Sequence, residues 1–321
     1  MQVLLGSLQQ VWVVVLALDA APLGIPATAF WIYVSASLVF IVGFIRILRE
    51  LPQEHGIDKV MPFGRLFYAI PLAVFGSEHF TVTAGIAALV PRWIPAPTFW
   101  VYLVGVAFLC AALSIAVLVQ ARLAAALVGM TFLIFVLTMD MPAAVANPDN
   151  RFFWALALRQ LAFSGGAFAL AMSVRSSRPG QRSSVQPNGV LAQFPRFFVG
   201  IASLFYGVEH LLHPEFLPGV PLKKLTPEWI PGRIAVGYVV GLVLIAAGVC
   251  MLLNMKARVA ATTLGITILL TVLGVYLPML SRAPTDIVAL NYFFDTMLFG
   301  GTILLTANAL GEKTGNPISK R

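Results

Sequence analysis

The chain has 321 residues, of which 59% are apolar and only 11% charged, with mean hydropathy +0.90 and a formal net charge of +8. Soluble domains carry about 45–50% apolar and about 25% charged residues. These numbers exclude a water-soluble enzyme, a disordered chain and a nucleic-acid-binding domain, and they indicate a multi-span helical membrane protein.

Ten apolar runs, each close to the ~20 residues that cross a bilayer, fall at 2–19, 28–47, 63–82, 98–119, 122–142, 152–174, 196–213, 233–254, 258–280 and 286–309. They are continuous rather than alternating, so they read as helices and not as outer-membrane strands. The first is short and holds Ser7, Gln9 and Gln10, which leaves open whether it crosses the membrane or lies at its interface. Lys and Arg sit in the short connections: Arg46, Arg49, Lys59 and Arg65, then Arg122, the 175–196 arginines, Lys256 and Arg258, and the C-terminal Lys313, Lys320 and Arg321. An alternating path puts all of them on the cytoplasmic side, which is the expectation for the inner membrane of a bacterium. Lys223 and Lys224 are exceptions on the outer side, where Trp93 and Trp229 read as interface anchors. Cys110 and Cys250 lie singly in apolar runs, against dithiol chemistry or a Cys-rich metal site.

The chain contains itself twice. Residues 65–80 (RLFYAIPLAVFGSEHF) match 196–211 (RFFVGIASLFYGVEHL) at an offset of 131. Five extra residues in the second copy then raise the offset to 136, at which LVPRWIP (89–95) matches LTPEWIP (225–231), and Tyr102, Gly105, Arg122 and Pro142 match Tyr238, Gly241, Arg258 and Pro278. SGG at 164–166 lies over FGG at 299–301. The expected architecture is all-α: two parallel four-helix repeats preceded by a helical hairpin, with about ten transmembrane helices. The expected division is hairpin and loop 1–61, first repeat 62–174, cytoplasmic linker 175–194, and second repeat with tail 195–321.

The G-x-E-H stretch ending the first helix of each copy, the P-x-W-I-P loop and the following Y-x-x-G helix resemble the DoxX-like family of four-helix membrane proteins, twice over. The resemblance implies the four-helix fold. It also implies association with quinone-coupled redox complexes or a chaperone and trafficking role. The leading expectation is a membrane subunit linked to quinone redox, with quinone as cofactor, a redox protein as partner and the lipid bilayer as environment. No metal, nucleotide or nucleic acid is expected: there is no P-loop, GxGxxG, HExxH or GxSxG. An assembly protein and a proton-coupled transporter are the other readings.

Charged groups at membrane depth each need a partner or a purpose. Glu78 and His79 in the first copy match Glu209 and His210 in the second, and His213 follows one turn later. Histidine can exchange a proton or hydrogen-bond a quinone oxygen, and glutamate can relay the proton. The competing reading is that these groups only pin helix ends. Asp140, Arg159 and Asp295 lie at similar depth, so Arg159 is expected to pair with Glu78 or Asp140, and Asp295 with His210. The second copy, with its extra His213 and longer outer loop, is the favoured functional copy, and that Pro-rich loop is a candidate lid.

Overall fold

The computed structural model describes residues 25–174 and 193–311, and it is all-helical over them. The expected span at 2–19 and nearly all of the 175–194 linker lie outside the described residues. Eight helices are long and apolar enough to cross a membrane: α1 (Ala27–Glu50), α2 (Met61–Thr81, entered through a 3-10 turn at Gly56–Val60), α3 (Pro97–Val117), α4 (Ala121–Ala146), α5 (Arg151–Ser173), α7 (Arg233–Leu252), α8 (Ala257–Arg282) and α9 (Ile287–Gly311). Between them, α6 (Phe194–Leu212) has the length of a span but is less apolar, because it carries Arg196, Glu209 and His210.

Within a bilayer the backbone must satisfy its own hydrogen bonds, and helices do so residue by residue. Their exposed faces are apolar: Leu38, Phe40, Ile41, Ile45 and Leu48 line the outer side of α1. In water such a surface invites aggregation; in lipid it is the solvated face.

Local backbone features recur at the offset of 136. A π turn at Val136–Asp140 interrupts α4, and another at Val272–Tyr276 interrupts α8. Each carries the helix into a proline, Pro142 or Pro278, whose missing N–H would otherwise break the ladder. Leu118 and Gln120 adopt left-handed φ values of 62° and 53° in the α3–α4 turn, and Asn254 and Lys256 repeat them at 58° and 46° in the α7–α8 turn. Ala96, at φ 51°, occupies the left-handed position that Gly232 fills at 65°.

Helix packing repeats between the halves as well. Within each half the first helix packs on the second, the second on the third and the third on the fourth. The halves are interlocked by α9 against α2, α5 against α6, and α5 against α9. Small residues permit this approach. A Cβ on Gly166 would strike Thr302, and one on Gly301 would strike the backbone of Phe67 and Tyr68. The centre of the molecule is therefore α2, α5 and α9, with 72%, 61% and 72% of their spans buried, against 28% for α4. Gly237 and Gly241, a GxxxG pair, pack within the chain: Gly237 abuts the Pro214 carbonyl and Gly241 abuts His210 and Gly207.

At the Lys- and Arg-rich end, Glu50 bridges Arg46 and Arg65 at 2.9 Å each, and Arg258 reaches Asp58 at 2.6 Å. These pairs tie the first half's connections to one another and to the second half.

Candidate functional site

At the opposite end, a cavity of about 780 Å³ opens in the first half between α2, α3, α4, α5 and α9. That volume is within the usual ~300–1,000 Å³ of small-molecule sites. Its walls are mostly apolar, and five phenylalanines line them: Phe75 from α2, Phe108 from α3, Phe132 and Phe135 from α4, and Phe163 from α5. Its rim carries Leu89, Trp93 and Trp100, all exposed.

Polar groups gather on one side of this apolar chamber. Glu78 and His79 come from the last turn of α2, Arg159 and Gln160 from α5, and Asn291 and Asp295 from α9. Arg159 Nη1 donates to Asp295 Oδ2 at 3.1 Å. The partner expected from sequence was Glu78 or Asp140, within the same copy. The observed pair instead spans the halves, because α9 is wedged against α5. Asp140, at the end of the α4 π turn, directly follows the lining residues Thr138 and Met139 and lies within the field of Arg159. Asn291 approaches the Glu78 carboxyl.

His79 Nδ1 lies 2.6 Å from the Phe75 carbonyl. A carbonyl only accepts, so Nδ1 carries the ring proton, and Nε2 of the neutral ring is the acceptor. The ring packs edge-on against Phe108. On residues that line the cavity, Glu78 Oε1, Arg159 Nε, Gln160 Oε1 and Asn291 Oδ1 are buried without a hydrogen-bond partner among the described residues. Buried polar atoms are almost always paired, so four orphans in one chamber mark a place where a bound polar group would complete them.

The second half is built from the same parts, and there its own longer loop fills the counterpart space. Leu217 and Val220 are buried there. Gly219 N–H donates to His210 Nε2 at 3.0 Å, and Tyr276 O–H donates to Pro218 O at 2.8 Å. Gly219 rests on Ile268 and Thr296. Ile268 is the counterpart of Phe132, Tyr276 of Asp140, and His210 of His79. The occupied space is thus the counterpart of the open cavity. Glu209 is salt-bridged to Arg151 at 2.8 Å, and the same guanidinium donates to the carbonyls of Pro221 and Leu222. His210 therefore holds the loop, and Asp295, its expected partner, belongs to the first-half cavity. His213, beyond the end of α6, faces Glu215 at 3.4 Å with its side chain 42% exposed. Sequence favours the second copy as the functional one; the open chamber is in the first.

Three participants were not legible beforehand. Arg151 is the clamp on the loop. Leu222 crosses from that loop to line the first-half cavity, and Tyr292 lines it too while its hydroxyl accepts from the Lys223 and Lys224 amides. Each role depends on contacts between positions 58 or more residues apart. Among the described residues, no three His, Cys, Asp or Glu side chains converge as a metal-ligand set. Comparison of the chain with protein-family models, with curated proteins and with solved structures finds no match in any of the three.

Proposed function

We propose that this integral membrane protein is DoxX-like and binds a quinone-class lipid in its first half, serving a quinone-linked redox system as a membrane subunit. The observation that carries this reading is the aromatic chamber with its one polar side. The chamber suits a flat ring, and the exposed Leu89, Trp93 and Trp100 at its rim suit a ligand that arrives from lipid rather than water. The four orphaned polar atoms, on Glu78, Arg159, Gln160 and Asn291, suit a head with oxygen substituents.

Glu78, His79 and Arg159 would hold the head, with Gln160 and Asn291 beside them. A quinone supplies two-electron, two-proton chemistry when bound. The chain's own part is to orient the ring, exclude water and hold a proton at the Glu78 carboxyl or at His79 Nε2. Asp295 keeps the Arg159 guanidinium in place. Electrons would be exchanged with a redox protein partner.

The test is mass spectrometry of the organic extract of detergent-purified protein, scored as quinone per chain. A near-stoichiometric quinone, lost in Glu78→Leu with His79→Ala and retained in His213→Ala, is the expected result. A folded, monodisperse protein without quinone overturns the reading and favours an assembly role.

A further inference from the structure

The two halves differ on the outward side of their first helices. In the first half that side of α2 is covered by α1, which has no counterpart in the duplication. Gly43 of α1 rests on Leu66, the Phe44 and Phe63 rings meet at 6.5 Å, and the Ser35 hydroxyl donates to the Ser77 hydroxyl at 3.4 Å. Leu66, Ile70 and Ser77 share one helix face by their spacing, and all are buried, Ile70 at 5% exposure and Ser77 at 7%. At the Lys- and Arg-rich end of this contact, Glu50 of α1 accepts from Arg65 at 2.9 Å.

In the second half the offset of 131 puts Phe197, Ile201 and Val208 of α6 at those positions and Arg196 at that of Arg65. Helices α5 and α7 pack on α6, and no described helix takes the place of α1. Ile201 is 43% exposed and Val208 44%, and Phe194 is exposed on the same face. Arg196 is only 6% exposed. Its Nη2 donates to Gln193 Oε1 at 3.3 Å, and its Nη1 is buried with no hydrogen-bond partner among the described residues. The second half thus keeps the arginine and lacks the carboxylate that the first half takes from α1. An apolar face needs only lipid, but a buried guanidinium without its counter-charge needs an anion. We infer that this face of α6 docks one transmembrane helix of a partner protein, laid where α1 lies on α2, with an Asp or Glu at the Lys- and Arg-rich end to pair with Arg196. A second copy of this chain suits the face poorly. Its Glu50 is already shared by Arg46 and Arg65, and two copies joined by a two-fold axis through α6 would set Arg196 against Arg196. The apolar run at 2–19 has one acidic residue, Asp19, at the end that leads into the start of α1, opposite Glu50. Neither Arg196, Ile201 nor Val208 lines the first-half chamber, so this inference stands or falls apart from the quinone reading.

The experiment is photo-cross-linking in membranes of the native host. The photoreactive residue p-benzoylphenylalanine replaces Ile201 or, in a separate chain, Val208 of the full-length protein. A third chain carries it at Leu242, which is exposed on α7 as its counterpart Val106 is on α3, and serves as the control for chance encounters. After irradiation the joined peptides are sequenced. The expected result is that both α6 positions, and not Leu242, join one apolar segment of about 20 residues in another protein, with an Asp or Glu at the end level with Arg196. Arg196→Glu should lower the yield at least about tenfold, the effect of losing roughly 1.4 kcal/mol of affinity, and changing the partner's acid to Arg should restore it. Arg196→Gln, which adds no negative charge, should lower the yield too, and it keeps the charge test readable if Arg196→Glu does not fold. Adducts with lipid alone, with another segment of this chain or with a second copy overturn the inference. So does a partner helix without an acidic residue at that level, or one whose yield is the same with Arg196→Gln.

Discussion

Arg159 is the residue on which the charge of the chamber depends. Its neighbours include Asp295 and Asp140, so removing the cation leaves carboxylates at membrane depth without their counter-charge. Breaking a buried pair by deleting one partner costs about 3–5 kcal/mol, whereas replacing both partners by apolar groups of similar volume is often neutral. Arg159→Leu should therefore lower the melting temperature in detergent sharply, and so should Asp295→Leu. The double variant Arg159→Leu with Asp295→Leu should recover most of the loss, as a double-mutant cycle would measure. Additive losses would show that the two side chains do not act as a pair. The sequence exposes both residues, because a charge inside an apolar run stands out. It does not expose their partnership. Reading each copy as self-contained matches Arg159 with Glu78 or Asp140, and only the interlocking of the halves brings a residue 136 positions away into contact.

The element that decides which half has an open chamber is the 213–232 connection. Sequence shows its length and its prolines, which exclude a helix and a central strand, and the structure has irregular backbone there with one isolated bridge between Phe216 and Leu225. Sequence does not show that the extra residues fold inward. That follows from three anchors: the Gly219 amide on His210, the Tyr276 hydroxyl on Pro218, and Arg151 on Glu209, Pro221 and Leu222. Gly219 suits the innermost point, since its φ of 110° lies where L side chains are strained and a Cβ would press on Thr296. Excising Pro218–Leu222 makes this connection as long as that of the first half and removes all of these contacts except the Arg151–Glu209 salt bridge. The excised protein should be less stable and should bind two equivalents of ligand per chain instead of one, counted by mass spectrometry of the extract. A count that stays at one would mean that the second-half space collapses when its loop is withdrawn.

At the scale of the whole molecule, the duplication is readable and the assembly of its copies is not. Matched stretches at offsets of 131 and 136 disclose two four-helix units, and the π turns and left-handed turn residues recur at the second of these offsets. Nothing in either copy's apolar pattern says that its last helix packs on the first helix of the other, because small-residue faces such as SGG and FGG serve any close neighbour. Yet α2 needs α9, and α5 needs both α6 and α9, to cover their most buried faces. A chain severed within residues 175–192 gives two fragments, each lacking those neighbours and each holding one partner of the Arg159–Asp295 pair. The first fragment alone also loses Asn291, Tyr292, Asp295 and Leu222 from the cavity wall. Expressed separately, the fragments should aggregate or be degraded. Expressed together, they should copurify through a tag on either one and recover ligand in proportion to the assembled complex. A first fragment that is monodisperse and binds ligand unaided would show that the halves are independent units joined by a tether, and that the interlocked contacts contribute little to the site.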